Sequence, residues 1–147
     1  MSVSIVKAVY DYILTCPLLK EYQPGIIKLN VDYSNGQQIT TYSLSEIPCN
    51  PVLNEYVSGI QEKQFQFALF NVESFGEDAD QNMLNLAFCE QFSKWIYENN
   101  KEGLFPEMDE GQEPTEIKML TNGSLLDNQA NMTAARYVVQ CRLKYEE

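Results

Sequence analysis

Histidine is missing from this chain of 147 residues. Its absence removes the Ser-His and Cys-His nucleophile pairs, the usual general base near neutral pH and the commonest transition-metal ligand. Positive charge is scarce as well: ten Lys and Arg stand against 21 Asp and Glu, a formal net charge of −11. A surface of that sign repels phosphates, so direct DNA binding is not expected. No apolar run approaches the roughly 20 residues that a membrane span needs. Lys7 and Asp11 interrupt the N-terminal stretch, which lacks a signal-peptide layout, so the reading is a cytoplasmic protein. Cys16, Cys49, Cys89 and Cys141 are scattered with no C-x-x-C spacing, and zinc would require all four to converge. Reduced thiols on apolar faces are the expectation. Asp78, Asp80 and Asn82 copy the opening of a calcium loop, but Met83 stands where glycine is needed and Cys89 where glutamate is needed. Neither a metal nor an organic cofactor is implied, and no paired catalytic motif points to an enzyme.

What the chain does have is a hydrophobic content of 44%, enough for one globular domain over residues 1–147. Its organising stretch runs from Asp78 to about Asn100. Leu84, Phe88, Phe92, Trp95 and Ile96 recur at steps of three and four, with Met83, Ala87 and Cys89 beside them. This is one face of a long helix. Ser74 with Glu77, or Asp78 alone, supplies a cap. A stripe holding the single Trp and two Phe needs a partner surface, and a sheet built by the flanking segments would provide it.

Val3 to Thr15 reads as a first helix with Ile5, Val6, Val9, Ile13 and Leu14 inward and Tyr10 and Tyr12 at the margin; Pro17 stops it. Ile27, Leu29, Val31 and Tyr33 alternate with polar residues as a strand. Asn35-Gly36 then predicts a tight hairpin in which Leu29 faces Tyr42 and Val31 faces Thr40. Asn50 to Val57 reads as a short helix with Asn50 as cap and Pro51 at its first position. Lys63 to Val72 is a strand apolar on both faces, which reads either as an interior strand or as an oligomer contact. Glu116 to Leu126 is a strand bulged at Gly123. Ala134 to Tyr145 has the cleanest alternation, with Tyr137, Val139, Cys141, Leu143 and Tyr145 on one side and Arg136, Gln140, Arg142 and Lys144 on the other. The expected fold is α+β: a mostly antiparallel sheet of four to five strands with two main helices packed on one face.

The charge is uneven. Between Glu77 and Glu116 eleven acids face only Lys94 and Lys101. They include Asp109, Glu110 and Glu113 in a loop that reads either as solvated chain or as a wall of an acidic interface or channel.

Ser4-Ile5-Val6-Lys7-Ala8-Val9-Tyr10-Asp11-Tyr12-Ile13, Thr15-Cys16-Pro17-Leu18, Asn30-Val31-Asp32-Tyr33, Phe92-Ser93-Lys94-Trp95-Ile96, Ala135-Arg136-Tyr137 and Gln140-Cys141-Arg142-Leu143 together span nearly the whole chain. In these segments it resembles the small minor capsid or minor tail proteins of tailed phages and prophages of Gram-positive bacteria. The order of elements is also similar to that of phage tail terminator proteins, which form a hexameric ring at the head-proximal end of the tail tube. The resemblance implies a structural virion protein, acting as a tail terminator or head–tail joining subunit. It would assemble in the host cytoplasm with itself, the tail tube and the head connector, and persist in the virion. A negatively charged lumen would let DNA slide through without sticking. Arg136, Arg142 and Lys144 would pair with acids of the next subunit, around an apolar centre at Phe70, Val72 and Phe75. The runner-up is an acidic cytoplasmic adaptor or inhibitor that covers a basic protein surface.

Overall fold

A computed structural model describes residues 4–19, 29–31, 41–74, 79–121, 123–128 and 134–147. The first helix, α1 (Ile5–Leu14), begins where the Ser4 hydroxyl accepts a hydrogen bond from the Lys7 backbone N–H at 3.1 Å. This satisfies one of the orphan donors of the first turn. It ends at Thr15, two residues before Pro17. Its buried side is Ala8, Val9, Tyr12 and Ile13, a stripe rotated from the expected one. Tyr12 lies in the core because its hydroxyl finds two partners there: it donates to the Leu104 carbonyl and accepts from the Asn99 amide, both at 2.9 Å. A buried phenol is tolerated when its polar tip is satisfied in this way.

The long helix, α2 (Ala79–Glu102), carries Cys89, Phe92 and Ile96 into the core, while Met83 stays exposed. Of its expected caps, Glu77 and Asp78 lie outside the described residues, and Ser74 instead closes a strand in register with Ala134. At the other end Gly103 adopts a φ of 75°. Its N–H reaches the Asn100 carbonyl and the Leu104 N–H reaches that of Asn99, the paired bonds of a Schellman cap. Trp95 is half-buried and faces α1 rather than the sheet: its ring lies 5.2 Å from that of Tyr12 and 5.8 Å from that of Phe92.

Among the described residues seven strands form one sheet: β1 (Leu29–Val31), β2 (Thr41–Ile47), β3 (Val52–Glu55), β4 (Gln61–Ser74), β5 (Glu113–Met119), β6 (Ser124–Asn128) and β7 (Ala134–Glu146). The path across it is β1-β2-β4-β7-β5. The two strands beyond the four or five expected are short: β3 continues the line of β2 along β4, and β6 continues that of β5 along β7. β4 is interior, as its two apolar faces imply, and pairs with β7 over its whole length, Phe67 opposite Cys141 and Leu69 opposite Val139. One face of this pair joins Tyr42, Leu44 and Ile117 with the buried sides of α1 and α2 in a single core. Pro114 sits on β5, the terminal strand of the path, where a missing backbone donor costs least.

Three sequence expectations are corrected. β1 pairs β2 in parallel, Leu29 opposite Tyr42 and Val31 opposite Leu44, rather than in an antiparallel hairpin. Alternation assigns side chains to faces but is the same for either strand direction. Asn35-Gly36 lies outside the described residues. Residues 52–55 form β3 rather than a helix. The Asn50 side chain accepts from the Val52 N–H at 3.2 Å, turning the chain into a strand instead of capping a helix. The strand expected from Glu116 to Leu126 is broken into β5 and β6. Gly123 lies between them, and a Cβ there would overlap the Cys89 side chain on α2, so close approach to the helix accounts for the glycine.

Candidate functional site

The face of the sheet turned away from the helices carries four of the expected interface residues, Arg136, Arg142, Lys144 and Phe70. Arg142 and Lys144 alternate outward on β7, half-buried, and both turn to Glu116 on β5, at 3.2 and 3.8 Å. Strand register sets this cluster, since Glu116 lies opposite Lys144. These two cations are therefore already engaged within the chain. Arg136 is half-buried further along β7, and Phe70 is half-buried on β4 opposite Ser43 and Val138. Phe75 lies outside the described residues, as does the side chain of Val72. Asp109 and Glu110 occupy the turn after α2, closed by a hydrogen bond from the Gln112 N–H to the Asp109 carbonyl. Glu113 begins β5, exposed. The structure thus gathers Arg142 and Lys144 on one patch, and leaves Asp109, Glu110 and Glu113 in the loop after α2 and at the start of β5.

Exposed acids flank this loop in the chain, interrupted on α2 by the exposed Lys94 and Lys101. Glu90, Glu98 and Glu102 on α2, then Glu107 and Glu110 in the loop and Glu113 on β5, are all exposed. At one end of the sheet Glu62, Glu146 and Glu113 stand in register across three strands. Like charges placed directly opposite oppose folding. Beside them, Lys63 and Gln112 bond the Glu147 carboxylate and hold it below the ordinary range.

Sequence reasoning missed the feature this end carries. β3 and β4 form a hairpin whose turn, Tyr56 to Ile60, is closed by the Tyr56 N–H on the Ile60 carbonyl at 2.8 Å, with Gly59 at a φ of 91°. Tyr56, Val57 and Ile60 are exposed there, Val57 completely, at 109%. The available signal was Ser58-Gly59, a turn dipeptide between two runs of strand-forming residues.

A cleft of about 790 Å³ opens between α1, the end of α2 and the loop that follows. Tyr12, Trp95, Leu104, Phe105 and Met108 make its walls largely apolar. Asp11 on its rim is committed to Lys7. Burial pushes the Cys16 and Cys89 thiols up to about 11, so both stay protonated and unreactive at neutral pH. Cys141, buried in the sheet core, is shifted the same way. Among the described residues no group of three or more His, Cys, Asp or Glu side chains is placed to hold a metal ion. No described helix is long and apolar enough to cross a membrane.

No protein-family model matches the sequence, and no curated protein is significantly similar to it.

Proposed function

We propose that this protein is a structural subunit of a tailed phage or prophage particle. In this reading it is a minor capsid or tail protein that closes into a six-membered ring at the end of the tail tube, as tail terminator or head–tail joining subunit. The observation that carries the reading is the layout of charge. Glu90, Glu98 and Glu102 on α2, Glu107 and Glu110 in the following loop and Glu113 on β5 are exposed, as a wall past which DNA must slide would require. The resemblance to minor capsid and minor tail proteins supports it. Most of the residues behind that resemblance fall on α1, α2 and β7, which contribute to the core, with Asn30 and Val31 on β1. No catalytic chemistry is assigned to the chain; its work is assembly, in the host cytoplasm and then in the virion.

The test is electron microscopy of polymerised tail tubes incubated with the purified protein. The reading predicts ring-shaped caps at one end of each tube, and no retardation of duplex DNA by the free protein at physiological salt. Bare tube ends, together with capture of a basic host protein, would favour the adaptor reading instead.

A further inference from the structure

The cleft between α1, the end of α2 and the loop that follows takes no part in the assembly proposed above. Its volume of about 790 Å³ falls within the roughly 300–1,000 Å³ of small-molecule sites. Three elements supply its apolar walls: Tyr12 on α1, Trp95 on α2, and Phe105 and Met108 in the loop. Hydrogen bonds hold these walls in place. The Tyr12 hydroxyl ties α1 both to the Leu104 carbonyl in the loop and to the Asn99 amide on α2. The cap bonds of Gly103 and Leu104 fix the loop where it leaves the helix.

The polar lining has one sense. Each of its side-chain donors already has an acceptor within the chain: the Thr15 hydroxyl donates to the Tyr12 carbonyl at 2.6 Å, the Asn99 amide to the Tyr12 hydroxyl, and that hydroxyl to Leu104. The two charged side chains of the lining, Asp11 and Glu107, are both carboxylates. Lys7 neutralises Asp11 at 2.7 Å. Glu107 is exposed and, among the described residues, forms no ion pair, so the cleft keeps a charge of −1. The exposed Lys94 and Lys101 do not offset it. Lys94 lies about 100° round α2 from Trp95 and Lys101 about 200° round from Asn99, and neither lines the cleft.

An anion entering this space would meet carboxylates. A cation carrying N–H groups would find acceptors, and aromatic faces stabilise a positive charge further. We propose that the cleft binds a small aromatic amine in its protonated form, its ring against Trp95, Phe105 and Met108 and its ammonium directed to Glu107. Bound there, it would tie both helices to the loop. The site and the ring assembly stand independently of each other.

Trp95 is the single tryptophan of the chain and reports on the site directly. Its fluorescence tests the proposal in titrations with 2-phenylethylamine, which is protonated at pH 7, with the neutral 2-phenylethanol and with the anion 3-phenylpropanoate. Expected is a saturable change with the amine, binding of the alcohol weaker by about five- to tenfold, and the weakest response to the carboxylate. Glu107→Gln, an exposed substitution that leaves the thermal melt unchanged, should reduce the preference for amine over alcohol by about two- to fivefold. No saturable response to the amine overturns the proposal. So does an alcohol that binds as tightly as the amine, or a preference untouched in Glu107→Gln. Saturation by Nα-acetyl-lysine amide but not by 2-phenylethylamine would also overturn it, and would assign the cleft to a lysine of a partner protein.

Discussion

At the scale of single residues, burial divides the aromatic stripe of α2 into two roles. Phe92 is fully buried and touches both Phe88 and Trp95, whereas Trp95 keeps one side on the cleft. Phe92→Ala should therefore destabilise the fold by about 3–5 kcal/mol, the usual cost of emptying a buried aromatic site, and Trp95→Ala by less. Urea melts of the two variants check the order; a larger loss at Trp95 would contradict it. The thiols give a pH dependence. An unfolded Cys16 or Cys89 ionises near 9.0, and the folded one only near 11. Tyr12 is raised in the same direction, chiefly by burial. Between those values the unfolded state holds fewer protons, so stability is complete below pH 9 and falls as pH rises toward 11. Denaturation midpoints at pH 8 and pH 10.5 should show the drop, and Cys16→Ala with Cys89→Ala should reduce it. The sequence placed Cys89 and Cys141 on apolar faces. It could not place Tyr12 in the core, because the Leu104 and Asn99 groups that satisfy its hydroxyl lie about ninety residues away.

At the scale of elements, the long and strongly periodic segments were legible: α1, α2, β4 and β7 all stand within a few residues of where their patterns put them. The pattern works because each buries one continuous face, or two for β4, and burial enforces the period. Short segments were not legible. Asn50-Pro51 fits a helix start and an asparagine turn equally well, and what decides is the pairing of residues 52–55 with the start of β4, a tertiary event. The missed hairpin tip follows from that error. Direction was likewise invisible in β1, since three alternating residues serve parallel and antiparallel neighbours alike. The row Glu62–Glu146–Glu113 is a cost built into the sheet. Glu146→Gln should raise stability by a few tenths of a kcal/mol, the scale of a cross-strand charge pair. Thermal melts at low salt would show the gain, and a loss would mean that the row is held by a compensating contact. A charge arrangement that opposes folding is expected where binding, not stability, has set the residues.

At the scale of the whole molecule, charge opposes assembly and apolar contact favours it. Six copies each carrying −11 repel one another, and rim ion pairs return only about 0–1 kcal/mol apiece. The free protein should therefore be a monomer or weak oligomer at low salt. At about 1 M salt the Debye length shrinks to about 3 Å, which removes the long-range repulsion and leaves any apolar contact between copies to act. A tail tube that presents repeated docking positions would achieve the same by raising local concentration. The measurement that bears most directly on this account is the mass of the protein by light scattering, at low and high salt, with and without tail-tube protein. The account predicts a small species alone at low salt, growth toward six copies as salt rises, and a stable ring whenever tube is present. A tight dimer indifferent to both salt and tube would contradict it.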